Sequence, residues 1–220
     1  MRSAVKILVP ILLLFSACDS WSPKGEDTLC DTAKARRYND AAMDIKMAYY
    51  YHHTITHEQK EDSLNSAIML LDIAINTCPN IALYYTNQAN LYLDLGKKEE
   101  ALDVIKKMNS ILPMSEDPLF TGMLYYVNGD SVKSYKMFEK GLGLIKQAQD
   151  TMDKDSELYD VALYSEGFVL TLMRKYDEAQ EHVKVMDNIE DKINLQEFID
   201  SSRANPDYYF QDWFSDISDN

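Results

Sequence analysis

Few residues in this chain have the types and spacing that chemistry requires. His52, His53 and His57, with Glu58 beside the last, form its metal-like cluster. His53 and His57 would share a face if a helix ran through them. Zinc needs three or four ligands held in tetrahedral geometry, and no Cys or further His lies near these in sequence, so the stretch reads as a solvated polar loop. His182 stands between Glu181 and Val183 without a local Ser or Cys nucleophile. The sequence has no nucleophile elbow, phosphate-cradling glycine loop, HExxH zinc motif or dinucleotide fingerprint. No D-x-D-x-D-G run turns its acidic residues into calcium loops. These absences read as a non-catalytic protein with no cofactor and no metal.

The three cysteines carry more. Residues 1–17 open with Arg2 and Lys6, continue through an apolar run at 7–15, and end on the small residues Ser16 and Ala17. That run is well short of the about 20 residues a spanning helix needs, so it reads as a cleaved leader. Leu14-Phe15-Ser16-Ala17-Cys18 resembles the lipobox of bacterial lipoproteins, with Phe15 where Leu is usual. The resemblance implies that Cys18 is acylated, becomes the mature N-terminus and tethers the chain to a membrane of the bacterial cell envelope. An ordinary secretory signal followed by a chance Cys is the other reading. Residues 18–30 are polar, carry Pro23 and Gly25, and read as a flexible tether. Cys30 and Cys78 flank the first helical hairpin, at ends that antiparallel packing makes neighbours. In an exported protein they either pair as a disulfide or remain two reduced thiols.

With 22 Lys and Arg against 36 Asp and Glu, the net charge of −14 argues against nucleic acid and against an anionic membrane surface as ligands. Only 7 Gly and 6 Pro in 220 residues, among abundant Ala, Leu, Met, Glu and Lys, favour an all-α fold.

The elements that must position any site are clearest over 80–113. Asn80 is placed to cap a first helix carrying Ala82, Tyr85, Ala89 and Tyr92 at helical spacing. Gly96 ends it, Glu99 and Glu100 favour a new N-terminus, and Ala101, Leu102, Ile105 and Met108 face one way until Pro113. Such a hairpin cannot bury its apolar faces alone, and the sequence supplies copies of it. Helices over 31–51 and 62–77 precede it, separated by a break at 52–61. Ala67 to Ala101 is 34 residues, and Pro79 to Pro113 is again 34. A third unit over 117–147 starts with Asp117 as cap and Pro118 at the first helical position. A fourth spans 157–190, with Gly167, Leu170, Tyr176, Ala179, Val183 and Met186 in the same pattern and Arg174 where the turn Gly stood.

This pattern resembles the tetratricopeptide repeat (TPR) over about residues 31–190. The early Trp is absent, and the last unit lacks both its turn Gly and its Pro. The resemblance implies a right-handed superhelix of antiparallel helix hairpins, a TPR-like α-solenoid, within a domain over 31–203. A capping helix over 191–203 is expected to turn Ile193, Leu195, Phe198 and Ile199 inward over the last repeat. The tail, 204–220, crowds Tyr208, Tyr209, Phe210, Trp213 and Phe214 into an acidic segment. It reads as a seal over the last hairpins, as a motif docking elsewhere, or as an occupant of the groove.

In that family the first helix of each unit lines a concave peptide-binding face. Carried onto this chain, the groove comprises Thr86, Asn90 and Leu93, then Leu119, Met123 and Tyr126, then Tyr164, Phe168 and Thr171. Some of these side chains will instead be core, since periodicity cannot separate the two faces of a buried helix. The lining is apolar and aromatic, unlike the Lys- and Arg-bearing clamps that hold a C-terminal carboxylate. Tyr126 and Phe168 are the expected anchors, and Asn90 the group for a peptide backbone. The reading is a lipid-anchored scaffold for a protein or peptide partner in the envelope, with no nucleic acid. A glycan- or small-molecule-binding lipoprotein serving uptake is the alternative, and an accessory subunit active only in a complex is a third.

Overall fold

The computed structural model describes residues 30–51 and 56–210. Within them the chain forms α1 (Thr32–Tyr51), α2 (His57–Thr77), α3 (Ala82–Asp94), α4 (Lys98–Ile111), a 3-10 turn (Pro113–Ser115), α5 (Pro118–Val127), α6 (Ser131–Gln149), α7 (Glu157–Leu172), α8 (Tyr176–Val185) and α9 (Ile189–Ala204). No strand occurs among the described residues. The leader, Cys18, His52, His53, Trp213 and Phe214 lie outside them. Two compact units divide the described residues, the first running through Ser134 and the second over 135–210.

The hairpin turns follow one local rule. Gly96 and Gly129 adopt φ of +70° and +81°, where a Cβ is penalised and glycine is not. The Gly96 N–H donates to the Leu93 carbonyl at 2.9 Å and the Lys97 N–H to that of Tyr92 at 2.8 Å. The pairs Gly129 to Tyr126 and Asp130 to Tyr125, and then Arg174 to Thr171 and Lys175 to Leu170, repeat this at the next two turns. Each closes a helix by satisfying its last carbonyls. Arg174 does so at φ +61°, the only non-glycine with positive φ among the described residues.

In the first unit α1 packs on α2, α2 on α3, and α3 on α4. Ala35, Ala42, Ala67, Ala74, Ala89 and Ala101 are fully buried, and so small a side chain lets helix backbones approach closely. Cys30 and Cys78 are joined as a disulfide across the open ends of the α1–α2 hairpin. Asp117 caps α5 as its sequence predicts, accepting N–H bonds from Leu119 at 2.9 Å and Phe120 at 3.1 Å.

Two expected boundaries move. The break at 52–61 is shorter than its polarity suggests, because α2 starts at His57. Thr56 Oγ1 accepts from the Gln59 N–H while Gln59 Oε1 accepts from the Thr56 N–H, a reciprocal capping box. Asn80 does not cap α3. It sits in the turn after Cys78, and Ile81 takes the cap position without a side-chain bond.

In the second unit α7 packs against α8 and α9, and α8 against α9. Ser156 caps α7, and Asn188 caps α9 through the Glu190 and Asp191 N–H groups. Gly167 lets α9 come very close: a Cβ built there would lie 2.5 Å from Leu195 Cδ2. Phe168 stacks on Phe198 with centroids 4.7 Å apart, and Tyr209 meets both rings edge-on. Tyr209 also meets Phe210 edge-on, so the start of the aromatic tail covers α7 and α9. Leu195, Phe198 and Ile199 point inward as the capping-helix pattern predicts. Ile193 does not: it is 52% exposed, because it lies on the opposite side of α9 from Leu195.

Candidate functional site

The first unit carries a polar ladder between its first helices. Asn87 of α3 donates to Asn39 Oδ1 of α1 at 2.7 Å, and Asn39 donates in turn to Asp40 at 3.2 Å. One heptad further along both helices, Lys46 Nζ meets Asp94 at 2.8 Å. Asn90 lies on α3 between these rungs, partly exposed, at the three- and four-residue spacing that keeps it on the same side. Behind the ladder, buried Gln88 donates to Asp72 of α2 at 2.7 Å. Tyr84, beside Asp40, has its hydroxyl pKa raised by burial and then by that carboxylate, against the lowering effect of Arg36. The paired groups of the ladder flank the Asn90 amide on both sides along α3.

The second unit is built differently. The buried Glu166 carboxylate of α7 lies between Lys146 Nζ of α6 at 3.2 Å and His182 Nε2 of α8 at 3.5 Å. Tyr164, two residues earlier, has its hydroxyl pKa pushed up to about 12 by burial, with the Asp191 carboxylate adding to it. Asp191 is itself raised by burial and then by repulsion from Glu190 and Asp160. A cleft of about 330 Å³ opens at the start of α8, lined by Arg174, Lys175, Tyr176, Asp177, Glu178 and Arg203. Its charges meet one another. Arg203 reaches Asp177 at 3.1 Å and lies over the Tyr176 ring, and Lys175 reaches Glu178 at 3.5 Å. Among the described residues no group of three or more His, Cys, Asp or Glu could hold a metal ion.

No protein-family model and no curated protein matches this sequence. The structure is similar to a solved one from Podosopora anserina, of kinesin light chain type, with nearly identical TPR-like repeats. The likeness covers 84% of this chain and 93% of that one, at a TM-score of 0.54 and 12% identity. The fold is a TPR-like helical repeat. At that identity the likeness carries the architecture alone.

Within the TPR-like units, the residues expected to line a groove separate into two groups. Thr86, Asn90 and Tyr126 are partly exposed. Leu93, Leu119, Met123, Tyr164, Phe168 and Thr171 are buried. Phe168, expected as an anchor, is 1% exposed and forms the centre of the aromatic cluster with Phe198 and Tyr209, so it acts as core. Thr171 spends its hydroxyl on the Gly167 carbonyl at 2.8 Å. The physical reason is shared: these first helices are covered on more than one side, so side chains off the main apolar stripe are enclosed as well.

The ladder and the Glu166 pairings are not part of the sequence reading, though both leave a trace. Asn39 to Asn87 and Lys46 to Asp94 are each 48 residues apart, the same separation as the disulfide. Gln88, Thr121 and Glu166 occupy one repeat position, 33 and then 45 residues on, and all three are buried. At that position Gln88 and Glu166 reach partners on neighbouring helices, whereas the buried Thr121 hydroxyl has no hydrogen-bond partner among the described residues.

Proposed function

We propose that this chain is a bacterial envelope lipoprotein, anchored through acylated Cys18, whose TPR-like repeats serve as a non-catalytic scaffold for a protein partner. A peptide segment of that partner lies along the first helices of the N-terminal unit, with Asn90 meeting its backbone and Thr86 and Tyr126 beside it. The TPR-like fold supports the scaffold role. The observation that carries the choice of face is the ladder of Asn39, Asn87, Lys46 and Asp94, whose paired side chains flank the partly exposed Asn90 amide before anything binds. A surface fixed in this way loses little conformational freedom on binding.

The test is a cross-linked pull-down from detergent-solubilised envelopes, comparing the full chain with an Asn90→Ala/Tyr126→Ala variant. Recovery of a stoichiometric protein by the full chain and its loss from the variant is the expected result. Equal recovery by both would remove the contact from this face. Incorporation of labelled fatty acid, abolished by Cys18→Ser, tests the anchor separately, and an unlabelled full chain would leave an ordinary secreted protein.

A further inference from the structure

The helix that ends a repeat array ordinarily presents a polar outer face, since nothing stacks upon it. In the second unit α9 departs from that rule. Ile189 is 72% exposed and Ile193, one turn later on the same side, 52%. The Asp187 N–H contacts Asp160 Oδ1 at 3.5 Å, which brings the first turn of α7 to the turn between α8 and α9. Single exposed apolar residues need no explanation, but two in register on one side of a helix, with acidic side chains beside them, mark an interaction surface.

The charge around them selects the partner. Residues 187–200 contain Asp187, Glu190, Asp191, Glu197 and Asp200 against the single cation Lys192. Glu190, Glu197 and Asp200 are exposed on α9, flanking the isoleucine stripe. Crowding here is already unfavourable, since Asp191 is raised in pKa partly by Glu190 and Asp160. A second copy of so acidic a chain would add to the repulsion, whereas a cationic surface would relieve it.

We propose that the outer side of α9 docks a cationic amphipathic helix of another protein. Its apolar residues would meet Ile189 and Ile193, and its Lys or Arg residues would meet Glu190 and Glu197. This surface is separate from the peptide face proposed for the first unit, so the array holds two partners or two parts of one.

The probe is a fluorescein-labelled 18-residue helical peptide with a Leu stripe flanked by Lys. Two control peptides carry Glu for every Lys or Ser for every Leu. Fluorescence anisotropy with the full chain should show binding of the first peptide alone. Ile189→Ser/Ile193→Ser should raise its Kd by at least roughly tenfold. Glu190→Gln/Glu197→Gln touches no apolar residue; it should weaken binding severalfold and flatten its salt dependence. The Asn90→Ala/Tyr126→Ala variant should bind the peptide unchanged. Three outcomes would overturn the proposal: no binding of the Lys-Leu peptide, equal binding of the Glu peptide, or an affinity indifferent to both α9 variants.

Discussion

The two units build the same helical hairpins and close them by different chemistry. The first is held by small residues, a disulfide across its opening hairpin and a polar ladder between α1 and α3. The second relies on bulk: Phe168, Phe198 and Tyr209 in mutual contact with Phe210 against Tyr209, a glycine that admits Leu195, and a carboxylate enclosed by Lys146 and His182. Even the shared turn differs, with glycine at 96 and 129 and Arg at 174. The difference teaches that a repeat pattern specifies where helices reverse, while each unit's stability rests on contacts the pattern does not contain.

The comparison breaks most readily at Phe168. Phe168→Ala removes the stacked ring from the aromatic cluster and should cost about 3–5 kcal/mol in denaturant unfolding. Circular dichroism with Trp fluorescence would follow the transition. A loss below 1 kcal/mol would return Phe168 to the list of surface anchors. Cutting the disulfide by Cys78→Ser should cost the first unit about 2–4 kcal/mol, since it closes a 48-residue separation. Reductant should destabilise the wild type to the same extent and leave the variant unaffected.

Smaller effects sharpen the contrast. Gly167→Ala forces a methyl against Leu195, which is fully buried and has little room to move, and should cost about 1–3 kcal/mol. With Leu195→Ala in the same chain the combined loss should be smaller than the sum of the two single losses, since the clash is gone. At Asp117, burial raises the carboxyl pKa against the lowering effect of its two cap bonds, so the fold disfavours the ionised form. Its ionisation therefore opposes folding above the raised pKa, and that opposition fades as pH falls through it. Asp117→Ala loses the cap and should cost about 1 kcal/mol, whereas Asp117→Asn keeps the acceptor and should match or exceed wild-type stability at pH 7. A melting curve of each variant at pH 4 and pH 7 checks the sign. Least of all, Arg174→Gly should stabilise by up to about 1 kcal/mol, because glycine accepts a positive φ without penalty. A drop in melting temperature would show that the ion pair with Asp207 outweighs the backbone cost.

The legible parts of the fold are those governed by neighbours in sequence. Gly96, the Asp117-Pro118 start and the buried alanines at 67 and 101 can be read from types and spacing alone. The start of α2 is local too, yet its signal is the Thr56–Gln59 exchange inside a stretch whose histidines suggest a loop. Ile193 and the buried groove residues could not be read this way. Helical periodicity finds an apolar stripe, but on a helix covered from two sides it does not say which of the remaining side chains meet water. Of the candidate site, Thr86, Asn90 and Tyr126 kept their exposure, and the ladder that flanks Asn90 came from residues 48 apart.

By itself the sequence determined the all-helical class, the repeat of about 34 residues, the turn at Gly96 and the Asp117 cap, because these depend on backbone chemistry within a few residues. Tertiary structure alone decided that Phe168 is core, that Ile189 and Ile193 face outward, and that Glu166 lies between Lys146 and His182. Burial and charge pairing depend on which distant segments arrive beside a side chain, and no spacing along one helix records that arrival.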